Sequence, residues 1–248
     1  MNQKEQLAGL IKQSKNTVFF GGAGVSTESG IPDFRSESGL YAARQVYGHP
    51  PEELLSYSMF KRKPGLFFRY HKENLIARDA KPNAAHLALA ELERRGKLKA
   101  VVTQNVDGLH QKAGSKVVHE LHGSCERNHC MDCGALYDFA YMLDDAHCTP
   151  SSYIARCEVC GGIVKPDVVL YEEPLDEKVM HAAIKAIQQA DTLIVGGTSL
   201  VVYPAAGFVD LFRGMHLVII NKDETDRDTQ ATLIIREPIG AFLSKVVV

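Results

Sequence analysis

Four of the six cysteines form two Cys-x-x-Cys pairs. Each pair can present two thiolates from one tight turn, and two such turns close a tetrahedron around zinc with no position left for water. Two pairs favour a metal over a redox dithiol, and incidental reduced thiols are the remaining alternative. The sequence therefore predicts a structural zinc site with the ligands Cys130, Cys133, Cys157 and Cys160. Cys125 and Cys148 belong to neither pair, and we expect that they are not ligands.

A glycine turn at residues 21–24 follows the apolar stretch Thr17–Phe20. A buried strand that ends in glycines lets backbone N–H groups approach a phosphate closely. The hydroxyls of Ser26, Thr27 and Ser29 are suited to its oxygens. Taken alone, the turn fits an ordinary strand-to-helix loop equally well.

Residues 31–35 come directly behind that turn and read Ile-Pro-Asp-Phe-Arg. Asp33, Phe34 and Arg35 supply an acid, an aromatic ring and a fixed cation, next to a proline that restricts the backbone. This combination is typical of an active-site loop. The alternative is a surface turn in which Asp33 caps a helix and Arg35 is solvated.

Polar side chains also follow a second apolar strand, at residues 103–110. Two amides and a carboxylate at a strand end are well placed to hold a ribose or an amide. The alternative is a plain turn in which Asp107 caps a helix. His122 ends the next short strand, where a pKa near neutrality suits a general base, so we prefer it to His110 and His119 for that role.

The scaffold must bring these strand ends together. Apolar strands alternate with helical patterns, which predicts an α/β fold with a Rossmann-like, mainly parallel sheet covered on both faces. The ligand of such a sheet lies at the carboxyl ends of the strands. Two insertions are expected to form a smaller domain, helical and of zinc-ribbon type, that leans over this edge. We place the larger domain at 1–35, 79–123 and 166–248, and the smaller one at 36–78 and 124–165.

The last third of the chain continues the alternation. Helices are predicted over Leu175–Ala190 and from about Pro204 to Phe212, and apolar strands run before and after the second of them.

The chain has 248 residues, 45% of them apolar, and a net charge of -2. The near-neutral charge and the absence of a long basic run argue against nucleic acid or a membrane surface as the main partner. No apolar run reaches the length of a membrane span, and residues 1–16 lack the features of a signal peptide. We expect the protein to be a cytoplasmic monomer. Because the cytoplasm is reducing, clustered cysteines there indicate a metal site and not disulfides.

The motifs together resemble those of the sirtuins, the NAD-dependent protein lysine deacylases. The resemblance runs in the family's order from Thr17 to Ile239 and rests on GAGVSTESGIPDFR, TQNVDGLH, LHG, the paired cysteines, GGTSLVVYPAA and VIIN. Their joint occurrence is far more specific than any one motif. The resemblance implies that NAD binds between the two domains and is consumed as a substrate, and that the second substrate is an acetyl-lysine protein or peptide.

The resemblance also assigns roles to residues. The implied NAD-binding set is Gly22, Ala23, Gly24, Thr27, Asp33, Phe34, Arg35, Gln104, Asn105, Val106, Asp107, His122, Thr198, Ser199, Asn221 and Ile239. The implied catalytic pair is His122, as general base, and Asn105, beside an ordered water. The acyl-lysine oxygen would attack the anomeric carbon as nicotinamide leaves, and His122 would then activate a ribose hydroxyl. Hydrolysis yields free lysine and O-acetyl-ADP-ribose.

The resemblance places the acylated peptide as an added strand between Val168–Glu172 and Ser199–Tyr203. The implied peptide contacts are Val168, Leu170, Tyr171, Glu172 and Val201.

The chain departs from the family's pattern at two places in this groove. Glu172 stands where the family often has glycine, which would favour basic residues near the target lysine. Phe68 and His71 align with a tyrosine and an arginine of the desuccinylating branch, so we expect a preference for acetyl or other apolar acyl groups.

Two other classes of protein remain as alternatives. A dehydrogenase would use the same fold, but the third glycine of G-x-G-x-x-G is missing and no clear ribose-binding acid follows. A non-enzymatic module that binds NAD and zinc is the other.

Overall fold

A computed structural model describes residues 2–33, 43–75, 79–149 and 152–247. Within those ranges the chain forms two separate sheets. The larger sheet has six parallel strands in the order β3-β2-β1-β7-β8-β9, and the smaller is antiparallel in the order β5-β4-β6. The strands are β1 Thr17–Gly21, β2 Leu98–Thr103, β3 Val118–Glu120, β4 Gly123–Cys130, β5 Leu136–Asp138, β6 Val164–Val168, β7 Thr192–Gly196, β8 His216–Ile220 and β9 Leu233–Ile235.

Helices surround both sheets. The α-helices are α1 Gln3–Gln13, α2 Pro51–Leu54, α3 Tyr57–Arg62, α4 Pro64–Tyr70, α5 Ala84–Arg94, α6 Leu109–Lys112, α7 Phe139–Leu143, α8 Glu177–Gln189 and α9 Ile239–Val246, and residues 43–47 are also helical. Single turns of 3-10 helix cover Ala23–Val25, Thr27–Ser29, Asp145–His147 and Asp228–Gln230, a longer one covers Ala205–Leu211, and a π-helical turn covers His71–Leu75. No helix among the described residues is long and apolar enough to cross a membrane.

The large sheet is a two-sided core. Along β1, Phe19 points into an apolar cluster on one face, and Val18 and Phe20 point into a second cluster on the other face. Leu89 of α5 and Phe242 of α9 complete the first cluster. Because both faces are covered, β1 and β7 are buried at every position, as expected for the central strands of a parallel sheet.

The small sheet has its own core, which the first insertion supplies in part. Phe67 and Phe68 of α4 pack in one cluster with Val164 and Val168 of β6 and with Met142. The predicted fold, a mainly parallel sheet with a smaller helical and cysteine-bearing unit, is confirmed.

Two details near the C-terminus differ from the prediction. The helix predicted at Pro204–Phe212 is a 3-10 helix, Ala205–Leu211. Helix α9 was not predicted at all, although Phe242 and Leu243 at its centre are among the most buried side chains of the core. Its apolar residues at helical spacing were the signal that could have identified it.

A buried histidine makes the large domain sensitive to acid. His110 is 1% exposed and its ring centroid lies 4.7 Å from that of His86. Burial, with a smaller contribution from His86, lowers the pKa of His110 to about 3. The unfolded state, with a histidine pKa near 6.5, therefore binds a proton first as the pH falls. Stability from this group is fully present above about pH 6.5 and decreases below it.

We expect the wild-type protein to lose about 2 kcal/mol more stability between pH 7 and pH 5 than His110→Gln does, because glutamine does not titrate. Urea unfolding of both proteins at the two pH values measures the difference. His181→Gln is the control, since His181 is exposed and should leave the pH dependence unchanged. Equal pH dependence of the wild type and His110→Gln would contradict the assignment.

Candidate active site

The carboxyl ends of β1 and β2 open onto a cavity of about 250 Å³ that lies against the segment after β6. Its described lining comes from the turn after β1, the segment after β2, the stretch 168–173, helix α2 and the stretch 202–204. The sequence-predicted residues in that lining are Ala23, Asp33, Gln104, Asn105, Val106, Asp107, His122, Val168, Leu170, Tyr171 and Glu172. Residues that reasoning from sequence missed also line it, among them Pro51, Glu52 and Leu55.

The turns after β1 and β7 touch through their backbones. Gly24 N–H donates to Gly197 O at 2.8 Å, and a Cβ on Gly24 would lie 2.8 Å from Gly197 Cα. Gly197 has a φ of +58°, and a Cβ there would collide with the Val25 nitrogen. Two of the glycines thus allow a close approach that no other residue permits. This leaves the N–H groups of the turn near the sheet's ligand-binding edge.

We expect Gly24→Ala to weaken NAD binding at least tenfold, because the added methyl group must push the turn away from Gly197 backbone. Titration of the variant with NAD, followed by calorimetry, measures the loss. Gly9→Ala is the matched control, since a Cβ on Gly9 meets nothing within 4 Å. Unchanged NAD affinity in Gly24→Ala would show that the contact does not shape the site.

Side chains join the same loops. Ser26 Oγ donates to Asp107 Oδ2 at 2.6 Å, and Asn105 Nδ2 donates to Ser26 Oγ at 3.0 Å. Gln104 Nε2 donates to Thr198 Oγ1 at 3.1 Å. The segments after β1, β2 and β7 therefore form one hydrogen-bonded unit, so their polar groups are held in place before a ligand arrives.

The hydroxyls of the first turn all have hydrogen-bond partners within the protein. Ser26 is 1% exposed and bound to Asp107. Thr27 Oγ1 donates to Gly24 O at 3.0 Å, and Ser29 Oγ accepts from Asn83 Nδ2 at 3.0 Å. All three hydroxyls therefore hold the loop in shape, as do the N–H groups of Gly24, Val25 and Ser26, which donate to backbone carbonyls.

Both carboxylate oxygens of Asp107 are hydrogen-bonded. Its Oδ1 accepts from Leu109 N at 2.9 Å, at the first residue of α6, but the N-cap of that helix is Gly108, which makes no side-chain cap bond. Its Oδ2 accepts from Ser26, and the residue also lines the cavity. The turn therefore orients the carboxylate without removing it from the site.

His122 is oriented by the backbone of the neighbouring strand end. Its Nδ1 lies 2.9 Å from Gln104 O. A carbonyl oxygen only accepts, so Nδ1 carries the proton and Nε2 is the basic nitrogen of the neutral ring. The adjoining backbone is fixed as well, because Val169 N donates to His122 O at 2.9 Å. An imidazole with a set tautomer at the wall of a cavity is suited to general base catalysis.

The stretch 168–172 forms the opposite wall. Val168 and Leu170 are buried, and Glu172 is exposed with a φ of +78°. That left-handed conformation favours glycine. Glu172 Oε2 accepts from Ser58 N at 2.9 Å. Hydrogen bonding to the Ser58 side chain, and then to this amide, lowers the pKa of the carboxyl group. The side chain is therefore anchored at the start of α3.

Several predicted residues lie outside the cavity lining. Gly22, Gly24, Thr27, Thr198, Ser199 and Val201 belong to the loops around it, and Asn221 and Ile239 follow β8 and begin α9. Phe34 and Arg35 lie outside the described residues. Phe68 and His71 are buried beneath the small sheet and do not line the cavity, and burial lowers the pKa of His71 to about 4.

The four paired cysteines converge away from this cavity. Their sulfur atoms lie within 4.8 Å of one another, with 3.5 Å between Cys130 and Cys160 and 3.6 Å between Cys133 and Cys157. Zinc–sulfur bonds of about 2.3 Å place tetrahedral ligands about 3.8 Å apart, so the set fits a closed zinc site. Cys125 and Cys148 are not part of the cluster. Cys125 is instead buried, with its sulfur 3.7 Å from His71 Nε2.

Comparison with known proteins gives a consistent result. The Sir2 family model matches residues 22–204. An NAD-dependent protein deacetylase of Clostridium acetobutylicum is 54% identical over 247 residues, covering 100% of this chain and 99% of the relative. One of Clostridium perfringens is 58% identical over 243 residues, covering 98% and 97%.

Solved structures agree with the sequence matches. A Sir2 structure with a p53 peptide and NAD+ superposes with a TM-score of 0.86 at 38% identity, covering 99% of this chain and 97% of the other. A second, with a deacetylated peptide and 3'-O-acetyl ADP ribose, gives a TM-score of 0.88 at 36% identity with the same coverage. A third holds a propionylated peptide, with a TM-score of 0.85 at 38% identity, and covers 99% and 97%.

Proposed function

Since this chain belongs to the Sir2 family, we propose that its cavity is where acetyl groups are removed from protein lysines at the expense of NAD. The chain is an NAD-dependent protein deacetylase that yields nicotinamide, O-acetyl-ADP-ribose and free lysine. The observation that carries the assignment of residues is the position of His122. Its tautomer is set by Gln104 O, and it lines one cavity with Asn105, Asp107 and the stretch 168–172.

NAD supplies the ADP-ribose that accepts the acetyl group. The chain's own residues bind and orient it, with the N–H groups of the glycine turn near the phosphates and Gln104 and Asn105 beside the nicotinamide ribose. Asp107, held by Ser26, is placed to accept a hydrogen bond from the nicotinamide amide. His122 Nε2 takes the proton of a ribose hydroxyl, which raises the nucleophilicity of that oxygen towards the acyl carbon. Phe34 and Arg35 remain candidates for the nicotinamide and phosphate contacts.

The peptide is proposed to add as a strand between the stretches 168–172 and 199–203. Among the described residues, no backbone partner engages the main-chain N–H and C=O of Glu172 or of Val201. Val201 is also 60% exposed. Two facing edges with unused main-chain groups are what an added strand requires, because its backbone then gains hydrogen bonds on both sides.

We propose a preference for acetyl and other small apolar acyl groups. The described residues that line the cavity include no lysine or arginine, so those residues offer no cation to an acidic acyl group. His71, one of the two positions aligned with the desuccinylating branch, is buried and its pKa is lowered to about 4, so the ring is neutral at pH 7. Succinyl-lysine should therefore be a poor substrate.

The four paired cysteines form a set that fits one structural zinc ion. A net charge of -2 supports our proposal that the protein has no nucleic-acid or membrane partner. We propose in addition that it acts as a monomer in the cytoplasm. We also propose that the larger domain comprises 1–35, 79–123 and 166–248.

Incubating the zinc-loaded protein with NAD and an acetyl-lysine peptide tests the function. Peptide-dependent release of nicotinamide, with deacetylated peptide as the second product, is expected. NADH formation would support a dehydrogenase, and neither product from folded protein would leave only an NAD- and zinc-binding module. A succinylated peptide of the same sequence tests the acyl preference.

A further inference from the structure

One lysine is buried beneath the wall of the cavity. Lys165, in β6, is 5% exposed and does not line the cavity. Its Nζ donates to Val168 O at 2.9 Å and lies 3.2 Å from Glu173 Oε2. A third, longer contact joins Nζ to Pro166 O at 3.4 Å. Burying an ammonium group is costly, so its partners must be well placed to hold it.

Glu173 links this ammonium group to the stretch 168–172. The Oε2 atom that meets Lys165 also accepts from Leu170 N at 2.8 Å. Glu173 N donates in turn to Leu170 O at 3.0 Å. Both main-chain groups of Leu170 thus depend on Glu173, whose carboxylate depends on Lys165.

The neighbouring main-chain groups are also used. Tyr171 N donates to Leu55 O at 3.1 Å, and Tyr57 N donates to Tyr171 O at 3.0 Å. From Val168 to Tyr171 the backbone is therefore held from behind by side chains and by other segments, and the main chain of Glu172 is left for the peptide.

Among the residues that the structure describes, no other charge compensates Lys165 so closely. Its second titratable neighbour is His71, whose pKa is lowered first by burial and then by Lys165 itself. His71 meets Cys125, whose thiol has a pKa that burial raises to about 12. Both neighbours are therefore neutral at pH 7, and Glu173 is the one acid among the described residues that forms an ion pair with this lysine.

We propose that Lys165 is a positioning residue for the acyl peptide: through Glu173 and Val168 O it sets the shape of the wall against which the substrate strand forms. It touches neither substrate. Without the ammonium group, the half-buried Glu173 carboxylate turns towards solvent and releases Leu170 N, and the edge at Glu172 shifts. Peptide binding is then weakened while the NAD loops, which Lys165 does not contact, keep their geometry.

Lys165→Met tests this inference, which rests on the proposed function, because methionine keeps the apolar bulk of the side chain and removes the charge. We expect the KM for an acetyl-lysine peptide to rise about tenfold or more, with the KM for NAD within about twofold of wild type. Lys165→Arg should restore much of the peptide affinity, since a guanidinium group can donate to both partners. Lys178→Met, on the exposed face of α8, is the matched control and should leave both KM values unchanged.

Glu173→Gln decides the question if Lys165→Met does not fold, because it removes the charge from the other side of the pair and should give the same split between the two KM values. Folding is judged by zinc content and circular dichroism. An unchanged peptide KM in a folded variant, or equal rises in both KM values, would overturn the inference. Wild-type protein that releases no nicotinamide would instead refute the proposed function.

Discussion

His122→Ala is expected to lower the rate of deacetylation by about 10²–10⁴-fold while NAD binding persists. The structure explains both parts of this result. The ring contributes a basic Nε2 to the cavity, and its Nδ1 accounts for one hydrogen bond to Gln104 O. The contacts between the glycine turns and the Ser26–Asp107 bond do not involve it. Turnover with a saturating acetyl-lysine peptide and separate NAD titration measure the two quantities.

A second measurement identifies the reaction step at which His122→Ala loses activity. If His122 acts after nicotinamide has left, the variant should still incorporate labelled nicotinamide into NAD in the presence of the peptide. His119→Ala is the matched control, because His119 lies in β3 outside the cavity lining and should retain most activity. Full turnover in His122→Ala would remove the general base from the mechanism, and loss of nicotinamide exchange would move its role to the earlier step.

Cys130→Ala should cost the protein its zinc and most of its activity, although the metal site is remote from the cavity. Structural zinc sites in small peptides bind with about 10–16 kcal/mol, and this binding free energy stabilises the fold when the site forms only in the folded chain. Cys130 ends β4, and β4 begins at Gly123, directly after His122. At about 3.3 Å per residue, β4 covers at most about 25 Å between Gly123 and Cys130, with an irregularity in its pairing between Ser124 and Asn128. Loss of the metal therefore releases the strand that holds the catalytic histidine.

Metal analysis, thermal unfolding and deacetylation of the purified variant check this expectation. Cys148→Ala provides the comparison, since Cys148 is outside the cluster and its replacement should leave the zinc content at one ion per chain. A chelator that removes zinc from the wild type should reproduce the Cys130→Ala result. Retained activity in zinc-free protein would show that the small sheet stands without the metal.

The fold could be predicted because its elements follow local rules. Thr17–Phe20 and Thr192–Gly196 are continuously apolar, as buried parallel strands must be, and each ends in glycines. The Cys-x-x-Cys spacing likewise predicts that each pair presents two sulfur atoms to one metal ion. That the helix at Ala205–Leu211 is a 3-10 helix could not be predicted, because its hydrogen-bond pattern does not follow from the spacing of its apolar residues.

The sequence predicted which residues belong to the candidate site better than it predicted the hydrogen bonds between them. That Asp107 and His122 share a cavity follows from the strand ends, but the partner of Ser26 lies 81 residues away and no local pattern signals it. The same holds for Glu28, which accepts from Gly240 N at 2.7 Å and so ties the glycine turn to α9. Glu172 was predicted as a charge that faces the peptide. Its hydrogen bond from Ser58 N could not be predicted, because Ser58 lies in a helix of the first insertion, far away in the sequence.

The strand order has a consequence for the chain as it leaves the ribosome. β1 is synthesised early, yet one of its two neighbours in the sheet is β7, with Thr17 opposite Thr192. That edge of β1 therefore stays unpaired until most of the chain has been synthesised. The strands of the small sheet all lie within residues 123–168, and the helices that pack on it precede them or lie between them, so this sheet can assemble before β7 is made. Until β7 arrives, the apolar side chains of β1 remain uncovered, and such unpaired strands are prone to aggregate. Slower synthesis at low temperature, with zinc supplied, should therefore raise the yield of soluble protein.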